Sequence, residues 1–287
     1  MGCEKYVIVG LAKTGTTVIA RTLQRTLQIP NFCMEPKNPA EIARAAINCE
    51  RLVVKILFDH WQDRLDDLAE VCAGDGTSPP PTVFFVVRDP RDEIVSRLHY
   101  FPYAIFTSKP STPEQRASCI ALFERKEASP ETIGLLDLQE DLWRMFGRRF
   151  FHPGVLHQRY AEFVQGFVDR PDDRTYLLRY EEFISRTIPE PPLQAMLSGA
   201  QEVPQQEQRV LRSASSGAWN RFFSDRDTAF FNQYFEMFLV KFGYSLERRP
   251  DAGPPVSGTI GSKYVAKLIE EACTTFEANA RIKSAAP

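Results

Sequence analysis

Four short apolar runs, separated by stretches with helical spacing, set the framework of this chain. Tyr6-Val7-Ile8-Val9, ending at Gly10, is continuously apolar rather than alternating, the mark of a strand covered on both faces. From Thr16 the positions Val18, Ile19, Leu23 and Leu27 recur one helical turn apart until Pro30 stops them. Leu52 to Leu57, interrupted only by Lys55, predicts a second strand. After the break Ser78-Pro79-Pro80-Pro81, the run Val83 to Val87 predicts a third. It leads into Arg88-Asp89-Pro90-Arg91-Asp92. There Asp89 can cap a helix, Pro90 fits the first helical position and Asp92 complements the positive helix end. Ile94, Val95 and Leu98 supply that helix's apolar stripe, and Thr175 to Tyr180 predicts a fourth strand much later.

Strands alternating with helices predict an α/β fold: a parallel sheet flanked by helices, with functional loops at the strands' carboxyl ends. Between Phe101 and Arg174 lies an aromatic-rich insert, helical over Leu135 to Phe146 and Tyr160 to Val168, expected to form a wall or lid on the acceptor side. Phe230, Phe231, Tyr234, Phe235, Phe238, Leu239 and Phe242 recur at three and four and predict a core-facing helix ending at Gly243. The Pro/Gly/Ser-rich stretch from Pro250 to Gly261 precedes a last amphipathic helix carrying Val265, Leu268, Ile269, Ala272 and Phe276, free to pack on this chain or on a partner. The expected organisation is one domain over residues 1–249, with the helical insert at about 101–174, followed by a linker and helical tail over 250–287.

The 287 residues, 43% hydrophobic and 25% charged, are ordinary globular composition, which excludes disordered and collagen-like classes. The formal charge of -2 leaves no global basic field for nucleic acid, so any anion must be gripped locally. No apolar stretch approaches the roughly 18 residues of a membrane span, and no cationic segment with an apolar core opens the chain. Six scattered cysteines without a C-x-x-C pair suit a reducing compartment, so a cytoplasmic location is expected. Four histidines without paired His/Cys spacing give a structural zinc no support.

Gly10-Leu11-Ala12-Lys13-Thr14-Gly15-Thr16-Thr17 sits between a strand and a helix, the context in which a glycine pattern binds an anion. The glycines allow close backbone approach, first-turn amides point at the ligand, and the hydroxyls of Thr14, Thr16 and Thr17 add donors. Gly10, Gly15 and Thr17 keep Walker A spacing, but Thr16 stands where the lysine belongs and the positive charge has moved to Lys13. That displacement suits a donor other than a nucleoside triphosphate.

Lys13-Thr14-Gly15-Thr16-Thr17 resembles the 5′-phosphosulfate loop of the sulfotransferases that use 3′-phosphoadenosine 5′-phosphosulfate (PAPS), commonly [KR]-[ST]-G-T-T. The resemblance implies that this loop binds the phosphosulfate and that Lys13 supports the bridging oxygen, with no metal required. Arg88, followed by Ser96 eight residues on, is similar to the family's 3′-phosphate motif, where guanidinium and hydroxyl grip one phosphate. Leu178-Arg179-Tyr180-Glu181-Glu182 resembles the R-Y-E-[DE] segment, which implies that Tyr180 contacts adenine. Arg212, with Gly217 and Trp219 beyond it, is similar to the late R-K-G-x-x-G-x-W loop over the 3′-phosphate, although Ser213 and Ala214 depart from it.

Transfer to a hydroxyl needs a general base. The small-molecule branch of the family places a histidine two residues past the second strand's lysine, and here Leu57 stands two past Lys55. Glu35, in Phe32-Cys33-Met34-Glu35-Pro36, occupies the place where bacterial and carbohydrate-acting members carry a catalytic glutamate. His60 is the alternative, and Lys55 is expected to reach the sulfonyl oxygens. The sequence therefore reads as a PAPS-dependent sulfotransferase acting on a small-molecule, lipid or sugar hydroxyl. A small-molecule kinase and a noncatalytic nucleotide-binding module are the alternatives. Acceptor identity and oligomeric state stay open.

Overall fold

The computed structural model describes residues 2–285 except 75, 77–78, 151, 170–173, 202–203, 206, 208–214 and 257–259. In chain order the elements begin β1 (Glu4–Gly10), α1 (Thr16–Thr26), β2 (Asn31–Met34), α2 (Pro39–Ala45), β3 (Arg51–Leu57), α3 (Leu65–Ala73) and β4 (Thr82–Val87). There follow α4 (Pro90–Phe106), α5 (Pro113–Ala128), α6 (Leu135–Phe146), α7 (Pro153–Phe163), β5 (Thr175–Arg179), α8 (Tyr180–Ser185) and α9 (Pro191–Met196). α10 (Trp219–Phe222), α11 (Asp225–Lys241) and α12 (Ser262–Ala285) complete the chain.

The chain divides into two compact units, Met1–Arg88 with Gln158–Gln208, and Asp89–His157 with Arg209–Pro287. The first holds a five-stranded parallel sheet in the order β2-β3-β1-β4-β5. Its central strands are buried on both faces through Val7, Ile8, Val9, Leu52, Val53, Val54, Val83, Phe84 and Val86, as their unbroken apolar runs require. The chain leaves β1 toward β3 and β2 on one side and toward β4 and β5 on the other. The point where strand order reverses therefore lies beside β1, where ligands of open parallel sheets bind.

The α/β class, the parallel sheet and the flanking helices agree with the sequence expectation. β2 had no counterpart in it, because four residues at the sheet edge carry neither an unbroken apolar run nor clean alternation. The fourth expected strand stops one residue early: β5 ends at Arg179, and Tyr180 opens α8.

The second unit is helical among the described residues. α12 packs along α4 and α5, burying Val265, Leu268, Ile269 and Ala272. Asp89 caps α4 by accepting from the Arg91 amide at 2.9 Å, as its position implied. Asp92 lies in the first turn of α4, as expected, and its carboxylate also accepts the backbone amides of Gly217 at 2.5 Å and Trp219 at 3.0 Å. The Arg91 guanidinium lies 3.6 Å from the centre of the Trp219 ring.

Candidate active site

Each of the five strands of the first unit ends beside a residue singled out by its chemistry. β1 pairs with β3 so that Gly10 faces Leu57, and with β4 so that Gly10 faces Val86. All strands being parallel, their carboxyl ends share one edge. Glu35 follows β2, Lys55 lies two residues before the end of β3, the glycine turn follows β1, Arg88 follows β4 and Tyr180 follows β5.

The turn after β1 is tightly built. A side chain at Gly10 would meet Thr14 Oγ1 at 2.8 Å, Thr16 Cγ2 at 2.8 Å and the Val86 carbonyl at 3.0 Å. Gly15 caps α1 with φ 90°, a conformation natural to glycine, and the first-turn amides of α1 follow it. Lys13 adopts φ 70° without glycine's freedom, and Glu35 does the same at φ 50°. The Thr14 hydroxyl donates to the Leu11 carbonyl at 2.7 Å, so its proton holds the turn together rather than pointing outward. Thr16 is buried and Thr17 half-buried at the start of α1.

Arg88 and Tyr180 close around this turn. Arg88 Nη1 donates to the Lys13 carbonyl at 2.9 Å, and its guanidinium carbon lies 4.5 Å from the centre of the Tyr180 ring. That ring packs so closely on Gly15 that a Cβ there would stand 2.2 Å from Tyr180 Cδ2. The expected phosphate, 3′-phosphate and adenine residues Lys13, Arg88 and Tyr180 are therefore mutual neighbours around Gly15.

Toward the other edge, Lys55 and Glu35 form an ion pair between Nζ and Oε1. β2 and β3 pair with Met34 opposite Lys55, and the Glu35 amide donates to the Lys55 carbonyl at 2.8 Å. The pair is asymmetric: the lysine side chain is 2% exposed and the glutamate 36%. Burial lowers the Lys55 pKa from its usual 10.5, opposed by Glu35 and more weakly by Glu207 and Asp59. Trp61, fully buried, donates its indole N–H to the Pro36 carbonyl at 2.7 Å and so anchors the turn that carries Glu35.

His60 sits exposed at the end of a short 3-10 turn, Phe58–His60. Ser96 is buried in α4 and belongs to the second unit, where Asp92 ties the same helix to Gly217 and Trp219. Arg212, with Ser213 and Ala214, lies outside the described residues.

Two supports escaped the sequence reading. Asp59 accepts the Ala12 amide at 2.7 Å and an Arg159 guanidinium N–H at 2.9 Å, joining the glycine turn to α7. Arg21 of α1 pairs with Glu207 and lies 3.7 Å from the centre of the Phe32 ring on β2. Neither has a local signal, since Ala12 and Arg159 lie 47 and 100 residues from Asp59, and Glu207 lies 186 from Arg21.

A parallel sheet bearing a glycine turn before its first helix is the architecture of the P-loop α/β proteins. The sulfotransferase domain family matches residues 4–190, and the chain belongs to that family. No curated protein matches this chain. Among solved structures, mouse sulfotransferase SULT7A1 complexed with PAP is similar, at 14% identity over 93% of this chain and 88% of that one, with a TM-score of 0.45.

Proposed function

We propose that this chain transfers a sulfonyl group from PAPS to a hydroxyl of a small-molecule, lipid or sugar acceptor by direct in-line displacement. One observation carries the reading: a glycine turn, an arginine and a tyrosine in mutual contact at neighbouring strand ends, with a lysine-held glutamate on the same sheet edge. The donor set fits a polyanion, since residues 10–17 contain a lysine and three threonines and no carboxylate.

When bound, the donor supplies a sulfonyl group activated by its anhydride link to phosphate. The amides at the start of α1 and the ammonium of Lys13 hold the phosphosulfate and stabilise charge on the leaving phosphate. Thr14 keeps the turn in shape while Gly15, Thr16 and Thr17 offer amide and hydroxyl donors. Arg88 grips the 3′-phosphate, and Ser96 and Arg212 are candidates for that phosphate by sequence motif alone. Tyr180 takes the adenine.

Glu35 accepts the proton of the attacking hydroxyl. Its Oε1 bonded to Lys55 fixes the carboxylate's orientation, leaving the other oxygen for the acceptor. This favours Glu35 over His60 as base, because Glu35 is held at the sheet edge by both its backbone and its side chain. Lys13 and Lys55 supply the positive charge the reaction needs, so no metal enters the reading. A cytoplasmic setting rests on the scattered cysteines.

Calorimetry with 3′,5′-adenosine bisphosphate tests the donor assignment. Magnesium-independent binding, tighter than that of MgATP, is expected. Preference for MgATP moves the chain to the small-molecule kinases, and bisphosphate binding without transfer to any acceptor in a broad screen makes it a noncatalytic nucleotide-binding module.

A further inference from the structure

The end of α6 carries chemistry that the transfer reaction does not use. The segment Leu142-Trp143-Arg144-Met145-Phe146-Gly147-Arg148-Arg149-Phe150 is basic and aromatic, and no Asp or Glu occurs from Leu142 to Ala161. In a chain of formal charge -2 this is a local excess. α6 stops at Gly147, which adopts φ 66° and turns the chain so that two arginines follow at once.

Trp143 and Phe146, three residues apart, share one face of the helix. The Arg149 guanidinium lies 5.3 Å from the centre of the Trp143 ring, and the Lys109 ammonium 5.7 Å from that of Phe146. Lys109, Arg148 and Arg149 are all exposed. Arg144 is engaged elsewhere, with Glu140 and Asp141 each at 3.6 Å on the preceding turn. Phe150 backs the turn by packing on Phe101, ring centres 6.0 Å apart.

Trp143 is 41% exposed, whereas Trp61 and Trp219 are 0% and 4% exposed. An indole left in water beside exposed cations is what the headgroup layer of an anionic bilayer accommodates: the ring sits at the interface and the cations meet phosphates. We propose that the end of α6, with Trp143, Arg148, Arg149 and Lys109, docks this protein peripherally on an anionic lipid surface. Among the described residues no helix is long and apolar enough to cross a membrane, so attachment is interfacial and reversible. The proposal stands independently of the reaction assigned above.

Cosedimentation of the full chain with phosphatidylcholine vesicles, with and without phosphatidylglycerol, tests it. Binding to the anionic vesicles alone, weakened by salt, is expected. Trp143 is the sole exposed indole, so its emission should shift to the blue and be quenched by brominated lipid, with Trp143→Phe abolishing both signals. R148Q/R149Q should lower partitioning about thirtyfold, from the loss of two surface cations, while its thermal melt stays that of wild type. Equal binding to neutral vesicles, unchanged binding of the double variant, or binding to heparin without any to vesicles overturns the proposal, the last in favour of an anionic polysaccharide.

Discussion

At the scale of single residues, the Glu35 and Lys55 pair governs the chemistry. Glu35→Gln removes the proton acceptor while keeping size and hydrogen bonding, so kcat should fall about a hundredfold or more. Calorimetric affinity for the bisphosphate should not change. Lys55 adds a pH dependence whose sign follows from its burial. Its pKa lies below the usual 10.5, so the ammonium is lost at lower pH than for an exposed lysine, and the charge-assisted hold on Glu35 weakens with it. The alkaline fall of kcat should therefore begin below the ordinary lysine range and move upward in Lys55→Arg, whose guanidinium stays charged. An unchanged alkaline limb in that variant would separate Lys55 from the reaction. Lysine and glutamate were each legible as candidates in the sequence, but their pairing was not, because 20 residues separate them and β2, which brings them together, is too short to announce itself.

At the scale of elements, the turn between β1 and α1 depends on close approaches at Gly10 and Gly15. Gly15→Ala would set a Cβ 2.2 Å from Tyr180 Cδ2 at φ 90°, so both ring and backbone must shift. Affinity for the bisphosphate should drop about tenfold, the worth of one stacked base. In the second unit Lys126 of α5 is fully buried. It donates to the Pro130 carbonyl at 2.8 Å and the Ile133 carbonyl at 2.5 Å, with Asp227 at 3.8 Å. Burial, partly offset by Asp227, pushes its pKa down to about 8. Between about pH 8 and the unfolded value of 10.5 the unfolded chain binds more protons than the folded one, so this lysine's contribution to stability rises with pH across that window. The stability difference between wild type and Lys126→Met, measured by denaturant titration, should shift in favour of wild type from pH 8 upward. The reverse slope would show that Lys126 is charged more readily in the fold than outside it.

At the scale of the whole molecule, the terminal helix α12 is part of the second unit's core, and Leu268→Ala should cost about 2–5 kcal/mol in denaturant unfolding. Its apolar stripe was plain in the sequence, but the same stripe fits a partner as well as α4 and α5, and only packing distinguishes them. The α/β class, the central strands and the turn from Gly10 to Thr17 were determined locally. An unbroken run such as Val83 to Val87 has nowhere to go but a sheet interior, and glycine spacing is itself a backbone geometry. The tertiary structure decided what no window of sequence holds. Asp59 reaches back to the Ala12 amide, Asp92 in the first turn of its helix also takes the amides of Gly217 and Trp219, and the Thr14 hydroxyl turns inward. Polar side chains bond to whichever unsatisfied group the fold brings near, so their roles are settled by strand order and register, whereas apolar periodicity is settled by the residues alone.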